Sequence, residues 1–285
     1  MHPLKFDALF PFVSTPTPAP LLSVFSGGRE ALRIFDYNFG LVIALGMVPG
    51  YSFMNGELWH LATMEAAFEL KITDPQEFQD SPALAKRASE IFEKHEMMPI
   101  TEGHYAHFAE ASKNAVEINS APGKSDAHSA LHGVLKAMIV QGWTSIEVGL
   151  ELVIKAIHSQ RPTLLASITP KELKECGFRS RAKLAKYFAY TFRSDNAAIM
   201  SEIENDDINA LALARHAIAH AAGKADGDFV KYCTPIPKLA TLLASGTNGG
   251  DMQFDGEISR ALLCIARPRF YALLTAVDEW VSTHP

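Results

Sequence analysis

The sequence predicts an all-α protein, and three observations carry that prediction. Segments rich in Ala, Leu, Glu, Phe and Met recur at helical spacing, and breaks bearing Pro, Gly or Asp separate them. No repeat at a period of roughly 20 to 50 residues points to a solenoid. The 285 residues, 48% hydrophobic and 20% charged, suffice to bury a core in one large domain or two modest ones.

Taken in order, Met1 to Pro20 carries a single Lys5 and is broken by Pro3, Pro11, Pro16, Pro18 and Pro20. A secretory apolar region would not tolerate that pattern, so an extended leader is expected. The longest apolar run, Phe39 to Val48, is about half the roughly 20 residues a membrane span needs, and a buried helix is expected there. Helices follow over Glu57 to Lys71, Ser81 to His95 and Gly103 to Ile118, punctuated by Thr73-Asp74-Pro75 and by Pro99. The stretch Asn119 to Asp126 reads as a linker. It places a domain boundary between a leader with helices at 1–124 and a second helical domain at 125–285.

In the second domain a long helix is expected from about His128 to Ser159, stopped by Pro162. One apolar row along it runs through Leu131, Leu135, Met138, Gly142, Ile146, Val153 and Ile157. Further helices are expected around Arg179 to Phe192, Ala197 to Glu204 and Asp207 to Ala222. Asp206 or Asp207 suits the start of the last of these, and Gly223 its end. Residues 245–251 are turn-rich, which suggests a short hairpin between Lys238 to Leu243 and Met252 to Phe254. A final helix, Glu257 to Val281, closes the chain.

Charge narrows the function. A net charge of −6 argues against a surface coated in positive potential for non-specific nucleic-acid binding. The balance is uneven, with ten acidic and four basic residues from Glu65 to Glu110, but seven basic and three acidic from Lys171 to Asp195. That basic strip is either a solvated helix face or a polyanion-facing surface. Cys176, Cys233 and Cys264 are an odd number without a CxxC pair, which implies neither a disulfide framework nor a thiolate metal site and fits a reducing cytoplasm.

The most informative stretch is Arg215-His216-Ala217-Ile218-Ala219-His220. At about 100° per residue, Ile208, Leu211, Arg215, Ile218 and Ala222 share a face, and His216 and His220 share the adjacent one. Arg215 therefore sits in an apolar row and needs a carboxylate, a carbonyl or an anion as partner. Glu147 lies in a second apolar row with Trp143, Leu150 and Ile154, and it too needs a counter-charge. Either it pairs with Arg215 and orients it, or it tunes a cleft directly. An arginine grips phosphate oxygens while imidazoles exchange protons near neutral pH, a combination suited to phosphodiester chemistry. The pairs His104/His107, His128/His132 and His216/His220 have ligand-compatible spacing but no HExxH companion, so no metal is expected. No P-loop, GxGxxG or GxSxG motif is present, and no cofactor is expected.

The run from Arg215 through His220 and Gly223 to Phe229 resembles the HEPN signature, an Arg and a His four to six residues apart followed by a Gly-containing turn and an aromatic. Met138 to Glu147 is similar to the first long helix of such domains, and Lys183 to Phe192 with Ile199 to Ile203 follows their helix order. The resemblance covers about Ser125 to Pro285. It departs at His216, where the family often carries Asn or another small polar residue. It implies a helical bundle that dimerises with its motif helices facing each other. Many members are metal-independent endoribonucleases of toxin–antitoxin or RNA-processing systems, and others only bind nucleotides or protein partners. Carried over by position, His220 assists proton transfer at the RNA 2'-hydroxyl, Arg215 stabilises the phosphate, His216 is auxiliary and Glu147 lies behind them. The expected partners are RNA, a second copy of the chain and an antitoxin or other protein, with no membrane.

Overall fold

The structure, a computed structural model, describes residues 17–74, 81–94, 102–120, 126–178, 181–221, 223–224, 229–231, 252, 254 and 256–284. Its elements are helices, which bears out the all-α class. They are α1 (Gly28–Leu70), α2 (Pro82–Lys94), α3 (Glu102–Ser120), α4 (Asp126–Gln160), α5 (Pro162–Ala166) and α6 (Pro170–Glu175), then α7 (Arg181–Thr191), α8 (Ala197–Ile203), α9 (Asp206–His220), α10 (Gly256–Leu263) and α11 (Ala266–Thr283).

Helix α1 is longer than the sequence suggests, because Phe39 to Val48 and Glu57 to Leu70 belong to one continuous helix that runs through Gly46, Pro49 and Gly50. The apolar run is buried on one side only. Phe39 and Val42 are inside, whereas Leu41 and Leu45 are largely exposed. Lys71 ends the helix at φ 58, and the Ile72 N–H returns to the Ala67 carbonyl at 3.0 Å. This is a Schellman-type closure with lysine where glycine is common.

Helix α4 matches its expectation to within two residues at its start and one at its end, and Arg161-Pro162 stops it. An apolar window within 129–160 would be long enough to cross a membrane by composition, but 56% of it is buried in the fold. The expected final helix is instead two, parted by a turn at Cys264-Ile265. Pro268 lacks an N–H, so it fits the first turn of α11 but not the interior of a continuous helix. The leader at residues 1–16 and the strand Lys238 to Leu243 with its turn lie outside the described residues. The Met252 N–H donates to the Gly223 carbonyl at 2.9 Å.

Contacts group the described residues into two units, one within 47–133 and the other made of 17–46 with 134–284. The divide falls inside α1 and α4, not at the linker near 119–126, so each of these helices supplies core residues to both units. In the first unit Trp59, Ala62 and Ala66 of α1 meet Leu84, Ala88, Ile91 and Phe92 of α2 and Phe108 of α3. The Trp59 ring lies 5.8 Å from Phe92 and 5.6 Å from Phe108, centroid to centroid.

In the second unit Phe35 of α1 stacks on Phe270 of α11 at 4.1 Å. Glycines on α4 admit the last two helices. A Cβ at Gly142 would strike Leu263 of α10, and one at Gly149 would stand 2.6 Å from the Phe270 ring. The segment before α1 is fixed from the far end of the sequence. The buried Asp278 carboxylate accepts from Ser23 N–H at 3.0 Å, Ser23 Oγ at 2.9 Å, Val24 N–H at 2.9 Å and Phe25 N–H at 2.6 Å. Burial alone would raise its pKa, but these donors outweigh burial and hold it below the usual aspartate value.

Candidate functional site

Helix α9 starts where an asparagine, not an aspartate, caps it. The Asn205 side chain accepts from the Asp207 N–H at 2.8 Å, which frees both aspartates for the positive end of the helix dipole. Asp207 also accepts from Arg269 Nη2 of α11 at 3.0 Å, and the same guanidinium reaches Glu202 of α8 at 3.3 Å. The start of α9 is thereby tied to its two neighbours.

Small residues set how α9 packs. Its buried face is Ile208, Ala210, Leu211, Ala214 and Ala217, and it lies against α10. That face is rotated from the row expected on sequence alone. Alanines compete poorly for burial on hydrophobicity, but their lack of bulk lets helices approach closely. Arg215 and Ile218 consequently sit at the edge of the buried face, half-exposed. Ile208 and Leu211 are already covered within the chain, so the Arg215 row does not itself demand a covering partner.

The end of α9 gathers the motif. Arg215 Nη1 lies 3.5 Å from His220 Nε2, a long contact at the outer limit of a hydrogen bond. The His216 and His220 rings lie 4.7 Å apart at 44°, and both residues are exposed. Arg215 Nε is buried without a hydrogen-bond partner. Among the described residues no carboxylate pairs with Arg215, His216 or His220. Gly223 closes the turn at φ 82, with its N–H on the Ala217 carbonyl at 3.0 Å, and so ends the motif helix as its sequence position suggests.

Glu147 is not brought to this cluster. It is half-buried on α4, between the buried Trp143 and Leu150, and among the described residues neither it nor Arg215 forms an ion pair. The expectation that the two charges meet is therefore corrected. The α9 face turns Arg215 toward the edge, where its Nη1 approaches His220, and Glu147 is likewise half-exposed.

Other groups that the sequence singled out fall elsewhere. In the basic strip Lys186 pairs with Glu175 at 2.6 Å and Arg193 with Glu172 at 2.8 Å. Two of its cations are thus neutralised locally, while Lys171, Lys174 and Lys183 are exposed. Among the described residues no three His, Cys, Asp or Glu side chains converge on a metal-sized point. The side chains of His104 and His128 lie outside the described set. Two open cavities of the second unit, one of about 510 Å³ beside Glu30 and Lys155 and one of about 360 Å³ beside Leu41 and Gln141, contain none of the motif residues.

Sequence reasoning missed Lys136 of α4, whose ammonium lies against Gly223. Nothing local signals it, because the contact joins two distant helices. Comparison of the chain with protein-family models, curated proteins and solved structures finds no match in any of the three.

Proposed function

We propose that the chain is a metal-independent endoribonuclease acting on single-stranded RNA, with Arg215 and His220 as its catalytic residues. The observation that carries this reading is the 3.5 Å approach of the Arg215 guanidinium, which pairs with no carboxylate among the described residues, to Nε2 of the exposed His220 imidazole. The Arg215 guanidinium would bind the scissile phosphate and offset charge that develops on its oxygens. His220 Nε2 would take the 2'-hydroxyl proton, the 2'-oxygen would attack phosphorus, and the bond to the 5'-oxygen of the next nucleotide would break, that oxygen taking a proton from water while His220 returns its own to solvent. The products are a 2',3'-cyclic phosphate and a 5'-hydroxyl end. His216, ring to ring with His220, is auxiliary, and the separation of Glu147 removes the carboxylate expected behind Arg215. The HEPN-like resemblance supports the same chemistry and adds a homodimer with paired motifs. Light scattering at tens of micromolar protein tests that part directly.

The test incubates purified protein with labelled RNA and with DNA, with and without EDTA, and maps the ends. Cleavage of RNA alone, unaffected by chelator, is expected. His220→Ala should lose most of the activity through loss of the proton carrier, by the hundredfold or more typical of general acid–base groups. Arg215→Lys should also be poor, because an ammonium cannot reproduce a bidentate grip, whereas His216→Asn should retain substantial activity. Cleavage that disappears with EDTA, or that persists in His220→Ala, sinks the mechanism. RNA or nucleotide binding without cleavage would instead favour a non-catalytic module, a reading that the exposure of both histidines also suits.

A further inference from the structure

We infer that Lys136 supplies a second phosphate contact on the Arg215–His220 surface, so that the ligand taken there is a single-stranded polynucleotide spanning at least two phosphates, not a mononucleotide. This rests on the function proposed above and deepens it. Lys136 is half-buried on α4. A Cβ built on Gly223 would stand 2.8 Å from its Nζ and 3.0 Å from its Cε. Gly223 is the residue that closes the turn after His220, so the ammonium lies at the end of the motif helix.

Four further features make the region anion-seeking. Among the described residues Lys136 forms no ion pair and no hydrogen bond. Arg215 Nε is buried without a partner, and among the described residues no carboxylate pairs with either imidazole. Lys224, which follows Gly223, is exposed and extends the cationic surface. An ammonium with no counter-charge among the described residues gains a charge-assisted hydrogen bond from a phosphate oxygen. The alternative role is structural, since the negative end of the α9 dipole also attracts a cation. The two roles separate on salt dependence, because each phosphate contact on a single strand contributes about 0.7 to the slope of log K against log salt.

The experiment measures binding by anisotropy for a labelled 2'-O-methyl RNA hexanucleotide, which lacks the attacking hydroxyl, and for a nucleoside 3'-monophosphate, across a salt series. Wild type, Lys136→Gln and Lys136→Arg are compared. Lys136→Gln should weaken the hexanucleotide severalfold and reduce its salt slope by about 0.7, leave mononucleotide binding within about twofold, and be rescued in slope by Lys136→Arg. A purely structural lysine would lower Tm and leave the slope unchanged, which overturns the inference. So does a wild type that binds hexanucleotide no more tightly than mononucleotide, a result that needs no variant to fold. Wild type that cuts RNA while Lys136→Gln keeps the full slope sinks this inference and spares the proposed activity. A Lys136-dependent slope in a protein that never cuts RNA does the reverse.

Discussion

Asn205 and Asp278 perform the same task with different chemistry. Each side chain satisfies backbone N–H groups at a helix entrance, Asn205 locally at α9 and Asp278 across the molecule before α1. Four donors converge on the Asp278 carboxylate, and hydrogen bonds to a charged group contribute more than neutral ones. Asp278→Asn should lower stability by about 2–3 kcal/mol at pH 7, because the amide turns an N–H toward donors that need an acceptor. The carboxyl pKa is held down in the folded chain. Its contribution is therefore complete above the unfolded value near 3.8 and is lost as pH falls through the lower folded value. Urea unfolding should show the gap between wild type and Asp278→Asn narrowing below about pH 4; a gap constant from pH 7 to pH 3 would refute this assignment. At the same scale, the meeting of the His216 and His220 rings was legible in the sequence, because helical periodicity places side chains four apart together, whereas the reach of Arg215 to His220, five apart, depends on the long arginine side chain. The separation of Glu147 from Arg215 was not, since it depends on how α9 is rotated, and alanines give little sequence signal for rotation. Lys136 was hidden for a related reason, as only tertiary packing lays it on Gly223.

Among the helices, α4 shows most plainly how one residue type serves opposite ends. Gly149 faces the Phe270 ring, whereas nothing lies within 4 Å of a Cβ built at Gly133 of the same helix. Alanine gains about 1 kcal/mol over glycine from helix propensity in the interior of an exposed helix. Gly133→Ala should therefore raise stability by about 0.5–1 kcal/mol. Gly149→Ala should lower it by about 1–3 kcal/mol, because overpacking against a buried ring exceeds the propensity gain. Thermal unfolding of the two variants decides the point, and equal shifts of the same sign would contradict the packing described. Helix boundaries were legible where a stop signal coincides with the end of the apolar row, as at Pro162. They were misread where local signals and tertiary support disagree. Helices were expected at Phe39 to Val48 and at Glu57 to Lys71, yet α1 runs through both and the stretch between them. One final helix was expected from Glu257 to Val281, yet Pro268 lies in the first turn of a second.

Across the whole molecule, α1 and α4 each contribute to the cores of both units, so neither core keeps its full set of residues if either helix melts. A single cooperative transition is expected for that reason. Trp59 belongs to one unit and Trp143 and Trp280 to the other, which provides separate reporters. Trp59→Phe and the double variant Trp143→Phe, Trp280→Phe should each show a fluorescence midpoint that coincides with its own far-ultraviolet circular dichroism midpoint. A fluorescence transition several degrees from the dichroism transition in either variant would mean that the units unfold independently. The all-α class was legible from composition and spacing because helix-forming residues dominate nearly every segment. The division into units was not, because a linker-like sequence near 119–126 draws the eye while the contacts divide within helices.

The Asp278 carboxylate and the Phe25 amide are 253 positions apart, which sets an order of events during synthesis. Ribosomes add about 5–20 residues per second, so the segment that leads into α1 waits roughly 10 to 50 s after its own emergence before its acceptor exists. Through that interval the entrance to the longest helix has four donors and no carboxylate to receive them. Residues 23–25 are therefore among the last parts of this fold to become native on the ribosome. A stalled or shortened chain that lacks α11 would present residues 23–25 unanchored, in the state that quality-control proteases engage first.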